Sequence, residues 1–432
     1  MTKAGKSFNK FLLLWSGEFI SAIGSGLTSF GLGIYVFRQT GLASATALIT
    51  LLAFTPNLFL SPVAGVLADR YDRRLLMVLG DGLSAVGLLF ILACVLRKEA
   101  QLWQICLGVT ISSIFTSLLE PSYKATITDL LTKEQFTKAS GLVQVAGSAK
   151  YLISPVIAGF LLTVADIELL LIIDICTIIV TIASTLAVRK GLASTEREGQ
   201  NAFWDEFKSG WFALRQNKGV FVLTVMGTVL TLCLGFIQTL STPMILGFAD
   251  SAALGVCMTV SAAGMLVTGI LLGFVPIKKS FVKILSSALF CAGIFMAGFG
   301  MRENLTLVCI FGFLFFSMLP FANTSIDYLI RTNIDNAVQG RVWGLIGIIS
   351  QFGYVIAYAV SGLLADCIFT PFLLEGGVLA GSVGSIIGTG MGRGTGFLII
   401  VAGLLLCLTA IALRNIKPVQ KLENRGDICT QE

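Results

Sequence analysis

Long uninterrupted apolar runs constrain this chain more than any other feature. Stretches such as FLIIVAGLLLCLTAIAL near the C-terminus last roughly 18 to 25 residues, enough at helical rise to cross a hydrocarbon layer of about 30 Å. They do not alternate in polarity, as barrel strands of about ten residues would. Helices are therefore expected, because lipid offers no partner for open backbone groups. Twelve such spans are read near 11–37, 44–68, 75–96, 102–126, 141–163, 168–188, 219–243, 251–275, 282–300, 305–328, 342–365 and 395–414. With 55% hydrophobic residues and only 12% charged, the chain carries more apolar surface than one soluble core can hide. The expected fold class is an all-α membrane protein.

Basic residues set the orientation, since Lys and Arg flanking spans favour the cytoplasm. With the N-terminus inside, Lys3, Lys6, Lys10, Arg70, Arg73, Arg74, Lys138, Arg189, Lys278, Lys279, Arg341 and Arg414 all fall on the inner side, while Arg38, Arg97, Lys98, Arg302 and Arg393 fall outside. Both termini are expected in the cytoplasm of a cell-membrane protein. Topology thus accounts for the net charge of +6, and no nucleic-acid partner is expected. The first apolar run continues well past signal-peptide length without a small-residue cleavage site, so it is expected to stay as span one. Histidine is absent and the ten cysteines lack metal-ligand spacing, so neither a metal site nor a disulfide scaffold is expected. Gly5-Lys6-Ser7 lacks the earlier glycine and strand of a phosphate-binding loop. No cofactor is expected, and the chain does not read as an enzyme.

The polar stretch RKGLASTEREGQNAFWDEFKSGWFALRQNKG divides the chain. Phe203, Phe207, Trp211 and Leu214 recur there at helical spacing, which predicts an amphipathic helix lying either on the inner membrane surface or against the protein itself. The expected organisation is a six-helix bundle over 1–190, a linker over 191–218, a second six-helix bundle over 219–415 and a tail over 416–432. A weak repeat supports two related halves: a shift of 203 positions pairs Lys138 with Arg341, Gly141 with Gly344, Ile153 with Ile356 and Gly159 with Gly362. Six plus six spans suit two halves that rock about a site near mid-membrane.

Between spans two and three, GVLADRYDRR packs five charges into a short loop. Gly65 permits close helix approach, and Asp69 at a helix end can pair with a base or cap a neighbouring helix. In residue type, spacing and position this loop resembles the signature of the major facilitator superfamily, roughly G-x-L-x-D-R-x-G-R-R/K, with Asp72 in place of the second glycine. The resemblance implies the major facilitator fold, two pseudo-symmetric six-helix bundles. It also implies that Gly65, Asp69, Arg70, Arg73 and Arg74 form a latch that closes the cytoplasmic side in one transport state and releases it in the other. The second-half loop GFVPIKKSFVK keeps bases but no acid. Ser154-Pro155-Val-Ile-Ala-Gly159 is similar to an element associated with exporters of the superfamily, with serine for the first glycine. Thr128-Asp129, Lys138-Ala-Ser-Gly141 and Gly340-Arg341-Val-Trp-Gly344 resemble loops of its twelve-span macrolide-efflux branch.

An ionisable group inside a span costs about 2.5–3.5 kcal/mol on insertion scales unless it finds a partner or water. Glu18 and Lys150 each lie about two turns from the inner end of spans one and five. At similar depth they can pair or share a proton-coupled network, with a structural ion pair or a Glu18 that only faces water as the alternatives. Glu120, before Pro121, is a further proton-coupling candidate. Asp174 reads as satisfying a neighbouring helix, and Asp81, Asp327 and Asp366 as caps or topology markers. Gln144 and Gln238 are candidate cavity residues, and 31 Phe against 7 Tyr make a greasy interior suited to lipophilic cargo. The glycine-rich outer loop over 376–396 reads as flexible or partly re-entrant.

These features predict a monomeric secondary transporter in the lipid bilayer, exporting lipophilic small molecules of macrolide or multidrug type in exchange for protons. An importer of a small nutrient on the same fold and a non-transporting sensor are the alternatives.

Overall fold

The computed structural model describes residues 8–98, 100–132, 135–189, 203–275, 277, 280–335 and 338–429. Among them every regular element is helical. The N-terminal half of the chain forms α1 (Phe8–Thr40), α2 (Ala43–Arg70), α3 (Arg73–Leu96), α4 (Leu102–Thr116), α5 (Leu119–Leu130), α6 (Phe136–Leu152), α7 (Ser154–Val164) and α8 (Ile167–Arg189). After α9 (Phe203–Gln216), the second unit continues with α10 (Lys218–Leu246), α11 (Ser251–Phe274), α12 (Phe281–Phe299), α13 (Leu305–Arg331) and α14 (Gln339–Leu364). It closes with a π turn (Ala365–Phe369), the short α15 (Thr370–Leu373) and α16 (Gly384–Ile387), α17 (Met391–Asn415) and α18 (Lys417–Cys429). Twelve helical stretches are long and apolar enough to cross a membrane, one for each expected span.

Two spans are interrupted for local reasons. Span four breaks between α4 and α5, where Pro121 lacks an N–H and its ring excludes the carbonyl one turn back; the Ser117 hydroxyl there donates to Ile114 O at 2.6 Å. Span five breaks at Ile153, just before Pro155.

The chain divides into two compact units, 1–41 with 48–200, and 42–47 with 201–432. The first turn of α2 therefore belongs to the second unit. Its amides at Ala43 and Ser44 donate to the Asp366 carboxylate at 3.1 and 2.8 Å, so this acid caps the N-terminus of a distant helix. Helix α9 packs on α14, with Leu214 fully buried and Gly210 so close that a Cβ would meet Leu345 at 2.9 Å. Of the four apolar residues that marked this linker helix, Leu214 is buried and Trp211 is 40% exposed, while the side chains of Phe203 and Phe207 lie outside those described.

In the first unit α1 and α8 run antiparallel along a glycine seam. A Cβ at Gly17 would lie 2.3 Å from Ser184 Oγ, one at Gly24 would lie 2.2 Å from Thr177 Oγ1, and one at Gly31 would lie 2.7 Å from Ile167 Cδ1. The three glycines recur every seven residues, the period of a helix that keeps one face along a seam.

Candidate functional site

The loop between α2 and α3 is built around Arg73. Its guanidinium donates to Asp129 at 2.8 Å, to Ala125 O at 3.1 Å and to Ala68 O at 3.0 Å, and meets Asp69 at 3.5 Å. One fork of donors thus ties the end of α2 to α5. Asp69 keeps a side chain 63% exposed, Arg70 is exposed and Arg74 is buried. Nothing lies within 4 Å of the Cβ that Gly65 lacks, so no close approach is made there. Asp72, the departure from the family pattern, caps α3 by accepting from Arg74 N at 3.1 Å and pairs with Arg189 Nε at 2.9 Å. An acid at this position adds an anchor to the end of α8 that a glycine could not make. Pro276, Lys278 and Lys279 of the corresponding second-half loop lie outside the described residues.

Deeper in the same unit, α1 is pinned to span five at two levels. Trp15 Nε1 donates to Leu142 O at 2.7 Å, and Ser154 Oγ donates to Ile23 O at 3.0 Å. A Cβ at Gly26 would lie 2.3 Å from Ser154 Oγ, so the Ser154-Pro155 step docks directly on α1. Pro155 and Gly159 are buried beside it. Glu18 and Lys150 lie between the two pins, within electrostatic range of each other, and both are largely buried. Glu120 is also within range of Glu18, but its side chain is 74% exposed and pairs with Lys124 at 2.6 Å.

Two acids sit further inside than their sequence positions suggest. Asp81 was expected near a span end; α3 starts at Arg73, which places Asp81 about two turns deep and only 2% exposed. It caps nothing, and its Oδ2 has no hydrogen-bond partner. Asp174 on α8 is 3% exposed. Its Oδ1 also lacks a partner, lying 3.0 Å from where a Cβ at Gly24 would stand. Asp81 is within electrostatic range of both Glu18 and Asp174, and Asp174 of Lys150. Sequence reasoning missed Asp81, because the packing of α5 and α8 on α3 closes the face on which it lies.

In the second unit Gln238 accepts from the Tyr358 hydroxyl, joining α10 to α14, whereas Gln144 in the first unit is exposed on α6. Arg393 is not an outer-loop residue. It lies in the first turn of α17, 1% exposed, and donates to Gly300 O at 2.8 Å and Met301 O at 3.0 Å. The glycine-rich segment before it folds into hydrogen-bonded turns, such as Leu379 N to Phe372 O and Gly390 N to Leu373 O, with left-handed backbone at Gly376 and Gly388.

Residues 14–358 match the profile of the Major Facilitator Superfamily. The chain is 28% identical over 378 residues to macrolide efflux protein A of Streptococcus pyogenes, covering 85% of this chain and 92% of that protein. A protein of the same name from Enterococcus faecalis is 27% identical over 313 residues, covering 71% of this chain and 97% of its own. Among solved structures, the nucleoside transporter NupG superposes with a TM-score of 0.75 at 13% identity, covering 95% of this chain and 100% of that one. A bacterial homologue of the lysosomal transporter Spinster gives 0.71 at 13% identity, covering 98% and 99%.

Proposed function

Since this chain belongs to the Major Facilitator Superfamily, we propose that within this family of membrane transporters it acts as a proton-coupled exporter of lipophilic small molecules, macrolides or compounds of similar size and polarity. Export and cargo class draw support from the relatives named as macrolide efflux proteins. The observation that carries coupling is the placement of Glu18. It is held at the depth of Lys150 between the Trp15–Leu142 and Ser154–Ile23 pins, where a change in its charge is felt by both spans at once. A proton arriving from outside neutralises Glu18 and weakens its hold on Lys150; loss of that proton inside resets the site. Moving one charge across about 100 mV supplies about 2.3 kcal/mol, roughly a fiftyfold concentration ratio. The cluster around Arg73 acts in this reading as the latch on the cytoplasmic side, with the protein working as a monomer in the cell membrane and both termini inside.

Everted membrane vesicles with an acid interior test the proposal directly. Macrolides, dyes and lipophilic cations added to wild type should trigger proton efflux, and Glu18→Gln should abolish it. Efflux unchanged in the variant would remove Glu18 from the coupling path. Proton movement in the opposite sense would favour the importer.

A further inference from the structure

At the end of the first unit where α1 and α3 finish and α4 begins lies a hollow of about 480 Å³. Gln39, Arg97, Lys98, Gln101 and Gln104 line it, about 30 Å along α1 from Glu18 by helical rise.

Donor-only partners fix how two of its amides are used. The Trp103 indole N–H donates to Gln101 Oε1 at 2.7 Å, and the Gln101 backbone N–H donates to Gln104 Oε1 at 2.9 Å. Neither nitrogen can accept, so both amide oxygens are committed and both side-chain NH2 groups remain as donors. Those groups have no partner among the described residues, and neither has the guanidinium of Arg97 or the ammonium of Lys98. Gln39 donates to Ala100 O at 2.5 Å and keeps its amide oxygen available.

The two bases answer in part to α3, whose C-terminal carbonyls attract cations. That accounts neither for amide donors left without acceptors nor for Lys98 in the left-handed backbone (φ 57°), which helix ends usually give to glycine. Glu99, the acid beside them in sequence, lies outside the described residues; with its charge counted, the stretch 97–104 is still basic. Trp103 is 59% exposed, and amphipathic rings of this kind gather at the headgroup level of a membrane.

We propose that this hollow is a binding site for a phosphate ester, with Arg97 and Lys98 supplying the charge and the Gln101 and Gln104 amides donating to the phosphate oxygens. Four donor groups, two of them cationic, suit an anion that brings acceptors. The Gln39 oxygen suits a hydroxyl on the ester, such as glycerol carries. The ester is either an anionic lipid headgroup or a soluble phosphate ester. The site stands whether or not Glu18 couples protons.

Native mass spectrometry of the purified full-length protein, with phosphatidylglycerol, phosphatidylcholine or glycerol phosphate added, tests the site. Phosphatidylglycerol should bind about tenfold more tightly than phosphatidylcholine, whose choline cation offsets its phosphate. Arg97→Gln combined with Lys98→Gln should remove that preference. Gln104→Glu keeps an oxygen for the Gln101 N–H but sets an anion in the hollow, so it should remove the preference with the melting point retained. Glycerol phosphate binding that the same variants abolish assigns the site to a soluble ester; lipid preference without it assigns the site to a headgroup. No lipid preference together with no glycerol phosphate binding, or binding unchanged in a folded variant, would overturn the assignment.

Discussion

The interiors of the two units solve one packing problem with different chemistry. Among the described residues, the first unit buries Arg74, Asp81 and Asp174, while the second buries Arg393. The second unit joins its helices with neutral groups: Thr231 Oγ1 to Ser350 O, Ser286 Oγ to Ala410 O at 2.9 Å, and Thr239 against Ser361 at 2.8 Å. Its one buried charge, a guanidinium that does not lose its proton in proteins, donates to two backbone carbonyls and keeps Nε without a hydrogen-bond partner. In the first unit the buried acids keep free oxygens. A buried guanidinium keeps its charge and fastens a structure, whereas a partly engaged buried carboxyl can take up a proton and change state. Responsiveness to protons is therefore expected in the first unit and mechanical constancy in the second.

The sharpest way to break this contrast is to disturb the close packing of the second unit. A methyl at Gly353 would lie 2.2 Å from Thr228 O, a rigid backbone atom, so Gly353→Ala should destabilise by about 1–3 kcal/mol. Gly344→Ala, with nothing within 4 Å, should melt within about 0.5 kcal/mol of wild type. Equal melting of the two in detergent would show that the neutral interior is not tightly specified. Next in size is Arg393→Met, which orphans the Gly300 and Met301 carbonyls and should cost about 1–3 kcal/mol. It should lower thermal stability while leaving the pH profile of transport in place; a displaced profile would give the second unit a share in proton response. The smallest effect is expected at the surface of the first unit. Asp72→Gly restores the family's glycine but removes the Arg189 pair, whose partners are 20% and 41% exposed. The loss should be about 0.5–1 kcal/mol, read as a slightly lower melting point that recovers little on adding salt.

Much of this arrangement was legible in the residues. Length and apolarity located the spans because nothing else hides that much hydrocarbon, and the loop at 65–74 was readable because its contacts are local in sequence. Glu18 and Lys150 could be placed at one depth by counting turns from the inner face. Asp81 could not be assigned in that way: distance from a span end gives depth, but only the packing of α5 and α8 on α3 decides which face is closed. Arg393 misled for the opposite reason, since its glycine-rich neighbours suggest a loop, while its long side chain reaches back to the end of α12. Asp366 was expected to cap a helix, yet the helix it caps begins more than three hundred residues earlier, a pairing that no local pattern records.

The seam between α1 and α8 carries one further consequence. Gly17, Gly24 and Gly31 are evenly spaced notches that receive Ser184, Thr177 and Ile167. Slipping by a single turn would drive each hydroxyl or methyl into a helix backbone with no notch to receive it. The two helices are keyed like a shaft in its collar, free to tilt together but not to slide. Glu18 sits beside the first notch and Asp174 beside the second, so both acids lie on the keyed part of the bar.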